Sequence, residues 1–189
     1  MKLVEERILK DGKIGAGDVL KVDSFLNHQM DTVLLSEMGK EFKRLFESEG
    51  VTRVLTIEAS GIGVAAFVAH EFKVPMVFAK KTKTINIYGD VYTSQVESYT
   101  HKTTYDIVVS KDFLHAGDRV LIIDDFLAKG SALKALISLV ENAGATVVGC
   151  GVVIEKAYQG GGNIVRDMGI RVESLARIKA MSEGEVEFC

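Results

Sequence analysis

Cysteine is nearly missing from this sequence, proline occurs once, and positive charge holds no surplus. Each scarcity closes off a class of protein. Two cysteines, Cys150 inside an apolar run and Cys189 at the last position, cannot build a disulfide framework, which points to a reducing compartment. Lysine and arginine total 23 against 26 aspartates and glutamates, a formal net charge of −3. That balance offers no broad basic surface to nucleic acid. No apolar run approaches the roughly 20 residues of a membrane span. Residues 1–7 carry charge where a secretory signal needs an apolar stretch, so the expected location is the cytoplasm. His28, His70, His101 and His115 lack metal-ligand spacing. The Gly-x-x-x-x-Gly-Lys-Ser/Thr loop of nucleotide hydrolases is absent too.

What remains is a chain of 189 residues, 47% apolar, without internal repeats or an interdomain linker. It is long enough for one domain with a substantial core. Residues 2–10 read as a short amphipathic helix with Val4, Ile8 and Leu9 on one side. Met30, Leu34, Met38, Phe42 and Leu45 recur at helical spacing and predict a longer helix over 30–48. Strands are expected at 53–58, 74–79, 120–123 and 146–154, with helices over 62–73 and 131–143 between them. The single proline stands at the start of the second strand, where it is tolerated. Strands this continuously apolar are buried on both faces, which predicts a parallel sheet with helices on each side. The stretch 82–110 differs, with Thr84-Ile85-Asn86-Ile87-Tyr88 alternating and many polar residues; it reads as a mobile hairpin over the site. Gly160-Gly161-Gly162 reads as a flexible turn after the last core strand.

Residues 120–132, Val-Leu-Ile-Ile-Asp-Asp-Phe-Leu-Ala-Lys-Gly-Ser-Ala, carry the most chemistry. Four apolar residues form a strand, and Asp124 and Asp125 stand at its end. Adjacent carboxylates repel each other and resist burial, so they need hydroxyls, donors or a metal to face. The small-residue loop from Ala128 to Ala132 gathers backbone N–H groups at a helix N-terminus, a geometry that binds phosphate. Carboxylates beside a phosphate nest suit a ribose 5-phosphate. Ser60-Gly61, Lys80-Lys81 and Lys156 also follow predicted strand ends, the edge of an open parallel sheet where ligands bind.

The 120–132 segment resembles the phosphoribosyl pyrophosphate (PRPP) motif of type I phosphoribosyltransferases. Further segments agree: Leu20 through Gln29, Thr56-Ile57-Glu58-Ala59-Ser60-Gly61-Ile62, Val153-Ile154-Glu155-Lys156, and Arg171 through Ile178. These narrow the resemblance to the bacterial xanthine branch, over nearly the whole chain. The resemblance implies an α/β fold with a central, mostly parallel sheet flanked by helices, a small hood and a flexible active-site loop. It also implies a PRPP-binding core over about 51–157, and a base-binding hood from about 1–50 with the C-terminal segment.

The implied activity is transfer of ribose 5-phosphate from PRPP to xanthine, giving xanthosine 5′-monophosphate and diphosphate, in a homodimer. Asp124 and Asp125 would hold the ribose hydroxyls. Magnesium would be carried by PRPP with no direct protein ligand, bridged by water to Asp124 or Asp125. Ala128, Lys129, Gly130, Ser131 and Ala132 would hold the 5′-phosphate. Ser60-Gly61, in a loop where the family places a cis peptide, would hold the diphosphate with Lys80 and Lys81. Leu20, Asn27 and Lys156 would contact xanthine, with Phe126 or Phe25 stacking on the ring. Some purine enzymes of the superfamily carry Asp where this chain has Ala128, so water, backbone or a residue such as Glu97 would handle the purine proton.

Two other functions fit parts of the pattern. One is the same transfer to guanine or hypoxanthine; Lys156 argues against adenine, whose 6-amino group offers an ammonium no acceptor. The other is a purine-responsive regulator that binds PRPP without catalysis. It would need a DNA-reading module, and residues 1–50 show no recognition-helix pattern or basic cluster.

Overall fold

The computed structural model describes every residue except 16–18, 82–88, 99–102 and 183. The alternation at 84–88 therefore lies outside the described residues. In chain order the described elements are α1 (Lys2–Asp11), β1 (Lys13–Gly15), β2 (Val19–Lys21), α2 (Thr32–Phe46), β3 (Arg53–Ile57), α3 (Gly61–Phe72), β4 (Met76–Ala79), β5 (Val91–Ser98), β6 (Thr103–Ser110), β7 (Arg119–Leu127), α4 (Ser131–Asn142), β8 (Thr146–Lys156), α5 (Gly161–Asp167), β9 (Val172–Ser182) and β10 (Glu185–Phe188).

The main sheet runs β10-β9-β8-β7-β3-β4. Its strands pair in parallel except at one edge, where β10 lies antiparallel to β9. Alternation along β7 assigns the two faces: Leu121 and Ile123 join one core cluster, Val120 and Ile122 the other. The first cluster receives Val4 and Ile8 of α1, the buried side of α2 and the apolar side of α3. The second receives Leu133, Leu136 and Val140 of α4, with Val96, Ile107 and Val109 of the β5–β6 pair. Helices therefore flank both faces, as the strand composition predicts.

Several boundaries differ from the sequence reading, each for a physical reason. Helix α1 buries Val4 and Ile8, but Leu9 is exposed, because neighbouring residues on a helix are about 100° apart. Helix α2 begins after Asp31, whose carboxylate accepts the Leu34 N–H as an N-cap, so Met30 falls outside it and is exposed. Strand β7 continues to Leu127, taking Asp124 and Asp125 into the strand; pairing with β8 persists through Leu127↔Glu155. Strands β9 and β10 extend the sheet beyond the last predicted strand. The 160–162 glycines are no loose turn: Gly161 and Gly162 open α5 and are buried. Within 82–110, β5 and β6 form an antiparallel pair in register from Val91↔Ser110 to Ser98↔Thr103. A bridge between Lys80 and Val108 joins this pair to the end of β4.

Candidate active site

The parallel order of β4, β3, β7 and β8 aligns their C-terminal ends, and the predicted polar features collect there. A cavity of about 290 Å³ opens at this edge. Its wall includes Asp124 and Phe126 of β7, the loop Ala128–Ala132, Glu97 and Tyr105 of the hairpin, and Gln159.

Asp124 is 4% exposed. Burial first, and the adjoining Asp125 carboxyl second, push its pKa well above the usual carboxylate range; Lys81 pulls partly the other way. The backbone N–H of Asp125 donates to Asp124 Oδ1 at 3.0 Å. Asp125 itself is half-buried. Tyr105, across the cavity, has its phenol raised by burial and by Asp124.

Gly130 is left-handed, at φ 81°, and stands at the N-cap of α4. That turn leaves the first N–H groups of the helix facing the cavity beside the half-buried Ser131. The loop's far side rests on Gly161, whose N–H donates to Ala128 O at 3.0 Å. A Cβ on Gly161 would stand 2.5 Å from Gly130 N, so only glycine lets the two backbones meet. The Gly161 contribution is absent from the sequence reading, where the glycine run looks like a turn signal.

Ser60 is the N-cap of α3 and Gly61 its first residue, with only Glu58 and Ala59 between them and β3. A Cβ on Gly61 would stand 3.3 Å from Asp124 Oδ1, which places this loop beside the aspartate. The cis peptide lies at Glu58–Ala59, upstream of the Ser60-Gly61 pair. Glu58 Oε1 accepts the Lys81 N–H at 2.7 Å, tying the loop to the end of β4. The two lysines part company. Lys81 bears on the Asp124 charge, and its Nζ is 5.8 Å from the Tyr105 ring centroid. Lys80 instead lines a separate cavity with Met76, Phe78 and Phe113.

Lys156 closes β8 and is half-buried, its Nζ 6.0 Å from the Phe126 ring centroid. The aliphatic stem and ring thus make one apolar surface with an ammonium at its rim. Asn27 ends a short π-helical turn over Asp23–Asn27, and its Oδ1 is buried with no hydrogen-bond partner. Such an atom is costly unless a ligand meets it. Leu20 is buried in β2, and Phe25 is fully buried in the core, which removes Phe25 as a stacking platform.

Among the described residues no three His, Cys, Asp or Glu side chains gather to hold a metal. Asp124 and Asp125 present oxygen donors only, the type that suits a hard cation such as magnesium, but two are too few to cage one.

Over residues 34–167 the chain matches the model of the phosphoribosyl transferase domain. The xanthine phosphoribosyltransferase of Lachnoclostridium phytofermentans is 60% identical over 190 residues, covering 100% of this chain and 98% of that protein. Xanthine phosphoribosyltransferase 1 of Clostridium perfringens is 54% identical over 189 residues, covering 100% of both. The solved adenine phosphoribosyltransferase of Rhodothermus marinus aligns with a TM-score of 0.74 at 24% identity, over 94% of this chain and 100% of that one. At that identity the structural likeness concerns the fold.

Proposed function

This chain belongs to the phosphoribosyltransferase family, and from that premise we propose that it is a purine-salvage enzyme converting xanthine and PRPP to xanthosine 5′-monophosphate and diphosphate. The observation that carries the reaction class is one cavity wall joining the buried Asp124 to the N–H-lined loop Ala128–Ala132. The relatives' names supply the base.

In this reading the α4 N-terminus and Ser131 hold the 5′-phosphate. Asp124, with Asp125, accepts the ribose hydroxyls, and their charge faces the ribose as positive charge develops at C1. The purine N9 attacks C1 as the bond to diphosphate breaks. The leaving oxygens meet the Ser60-Gly61 loop and Lys81, with Lys80 contributing charge from further out. No covalent nucleophile is required; the site holds two reactants in line and stabilises separating charges. Phe126 carries the ring, and Lys156 donates to a purine carbonyl. The unpaired Asn27 oxygen accepts a ring N–H, and its amide nitrogen donates to the second carbonyl. Leu20 closes the pocket alongside. Ala128 brings no side-chain base, so Glu97 on the cavity wall takes the purine proton. Magnesium would arrive with PRPP, with Asp124 or Asp125 holding it through water, and would supply charge neutralisation to the diphosphate.

The protein is further read as a cytoplasmic homodimer. Support for the dimer comes from Val33, Met30 and Leu9, exposed around α1 and α2; no described helix is long and apolar enough to cross a membrane. Light scattering of the purified protein tests the dimer.

The decisive assay follows diphosphate release with PRPP and magnesium on xanthine, guanine, hypoxanthine and adenine, with the nucleotide identified by mass. Turnover on xanthine far above the others is expected. Preference for guanine or hypoxanthine would change the substrate, and no turnover on any base would overturn the reading.

A further inference from the structure

Immediately before Lys156, Glu155 is 1% exposed and carries a dense set of bonds. Arg166 of α5 grips it with both terminal nitrogens, Nη1 to Oε1 at 2.8 Å and Nη2 to Oε2 at 2.9 Å. From β9, Ser174 Oγ donates at 2.6 Å and Arg177 Nε at 3.1 Å. A Cβ on Gly162 would collide with Glu155 Oε1, so α5 lies directly on the carboxylate. Two planar groups joined by parallel hydrogen bonds fix orientation as well as distance.

Helix α5 spans only 7 residues, too few to hold themselves in place. Its attachments include Val165, fully buried in the second core cluster, the Arg166 pair, an Arg166 Nη2 bond to Val172 O at 3.3 Å, and the Gly161 backbone against the Ala128–Gly130 loop. Residues 155–166 therefore run alongside the cavity. Lys156 sits beside Phe126, Gln159 lines the wall, and Gly161 supports Ala128–Gly130.

We propose that the Glu155–Arg166 pair is a positioning device for PRPP: it clamps α5 so that Gly161 holds the Ala128–Gly130 loop in its phosphate-binding form. The inference rests on reading that loop as the phosphate site. Neither residue touches substrate; each acts through the Gly161 backbone. Arg166→Met removes both bonds, and Arg166→Lys keeps the charge but cannot span two oxygens.

The test measures ribose 5-phosphate binding by calorimetry, and KM for PRPP and kcat by assay, on wild-type protein and both variants, with folding checked by circular dichroism. Arg166→Met is expected to raise the ribose 5-phosphate Kd and the PRPP KM about tenfold with kcat within about threefold, and Arg166→Lys by less. A purely structural pair would lower Tm and leave the affinity of the folded variant unchanged, which overturns the proposal. Should Arg166→Met fail to fold, Arg166→Lys decides: unchanged affinity overturns, weakened affinity supports. Wild-type protein that does not bind ribose 5-phosphate overturns this proposal and the functional reading together. Wild-type binding with equal binding by the variants overturns the clamp alone.

Discussion

Asp125 donates its own backbone N–H to the side chain of Asp124, its neighbour in the strand, at 3.0 Å. That bond favours the charged form, but burial and the Asp125 carboxyl outweigh it, and the Asp124 pKa stands well above its ordinary value. Ionised Asp124 is therefore a burden on the folded chain. The unfolded carboxyl ionises near its usual pKa of about 3.9, the folded one only at higher pH, so stability falls as pH rises between the two. Asp124→Asn is expected to raise Tm by about 3 °C at pH 7, a gain that shrinks as pH approaches 4. The same variant should lose at least about 100-fold in turnover. Calorimetry at two pH values with a diphosphate assay checks both.

Glu155 behaves in the opposite sense. Burial opposes its charge, yet Arg166, Ser174 and Arg177 prevail and hold its pKa down to about 2. Its stabilisation is full above the unfolded value of about 4.3 and is lost as pH falls toward 2. Glu155→Gln should lower Tm by about 10 °C at pH 7, because a neutral amide replaces the buried carboxylate that Arg166, Arg177 and Ser174 surround. The gap to wild type should narrow on acidification, and a melting series from pH 7 to pH 3 measures it.

Lys156 Nζ stands 6.0 Å from the ring centroid of Phe126, which lines the cavity. Lys156→Met keeps the apolar stem and removes the ammonium. KM for xanthine is expected to rise about 10- to 100-fold while KM for PRPP stays within about twofold. Steady-state kinetics varying each substrate separates the two effects.

How much of this was legible in the residues depends on the kind of signal. The aspartates, the loop after them and the order of apolar strands could be read because each is local: a run, a repeat, a small-residue stretch. The division of labour between Lys80 and Lys81 could not be read. It depends on which way each points once β4 is bridged to β6. The extension of β7 through Asp125 also escaped, since β-pairing with β8 overrides the reluctance of carboxylates to enter a strand. Gly161 was misread most instructively. A glycine run signals a turn from sequence, and only the approach of a distant loop reveals that the missing side chain is a matter of space.

Gly130 combines a left-handed backbone with a near neighbour, Gly161 O at 3.1 Å from where a Cβ would be. Gly130→Ala should cost about 1–2 kcal/mol of stability from backbone conformation alone. It should also weaken PRPP, read as a raised KM, with the xanthine KM changing less. Denaturant unfolding and kinetics on one preparation give both numbers.

The two thiols should differ in reactivity. Cys150 is buried in the sheet with its pKa pushed up to about 12 by burial and then by Asp124, while Cys189 is exposed. Iodoacetamide on the native protein is expected to add a single label, at Cys189, with activity retained. Mass spectrometry of the digested protein locates it.

Where the Ala128–Gly130 loop lies on Gly161 of α5, two main chains touch with no side chains between them. Selection has no gradual handle on such a joint: every substitution adds bulk, and none can trim or reshape a fit made of backbone alone. Substitutions that leave the joint intact are therefore those around it, at side chains such as Gln159 and Lys129. On the proposed reading, a designer seeking a new nucleobase would rewrite Lys156 and Phe126 and leave this backbone joint unchanged.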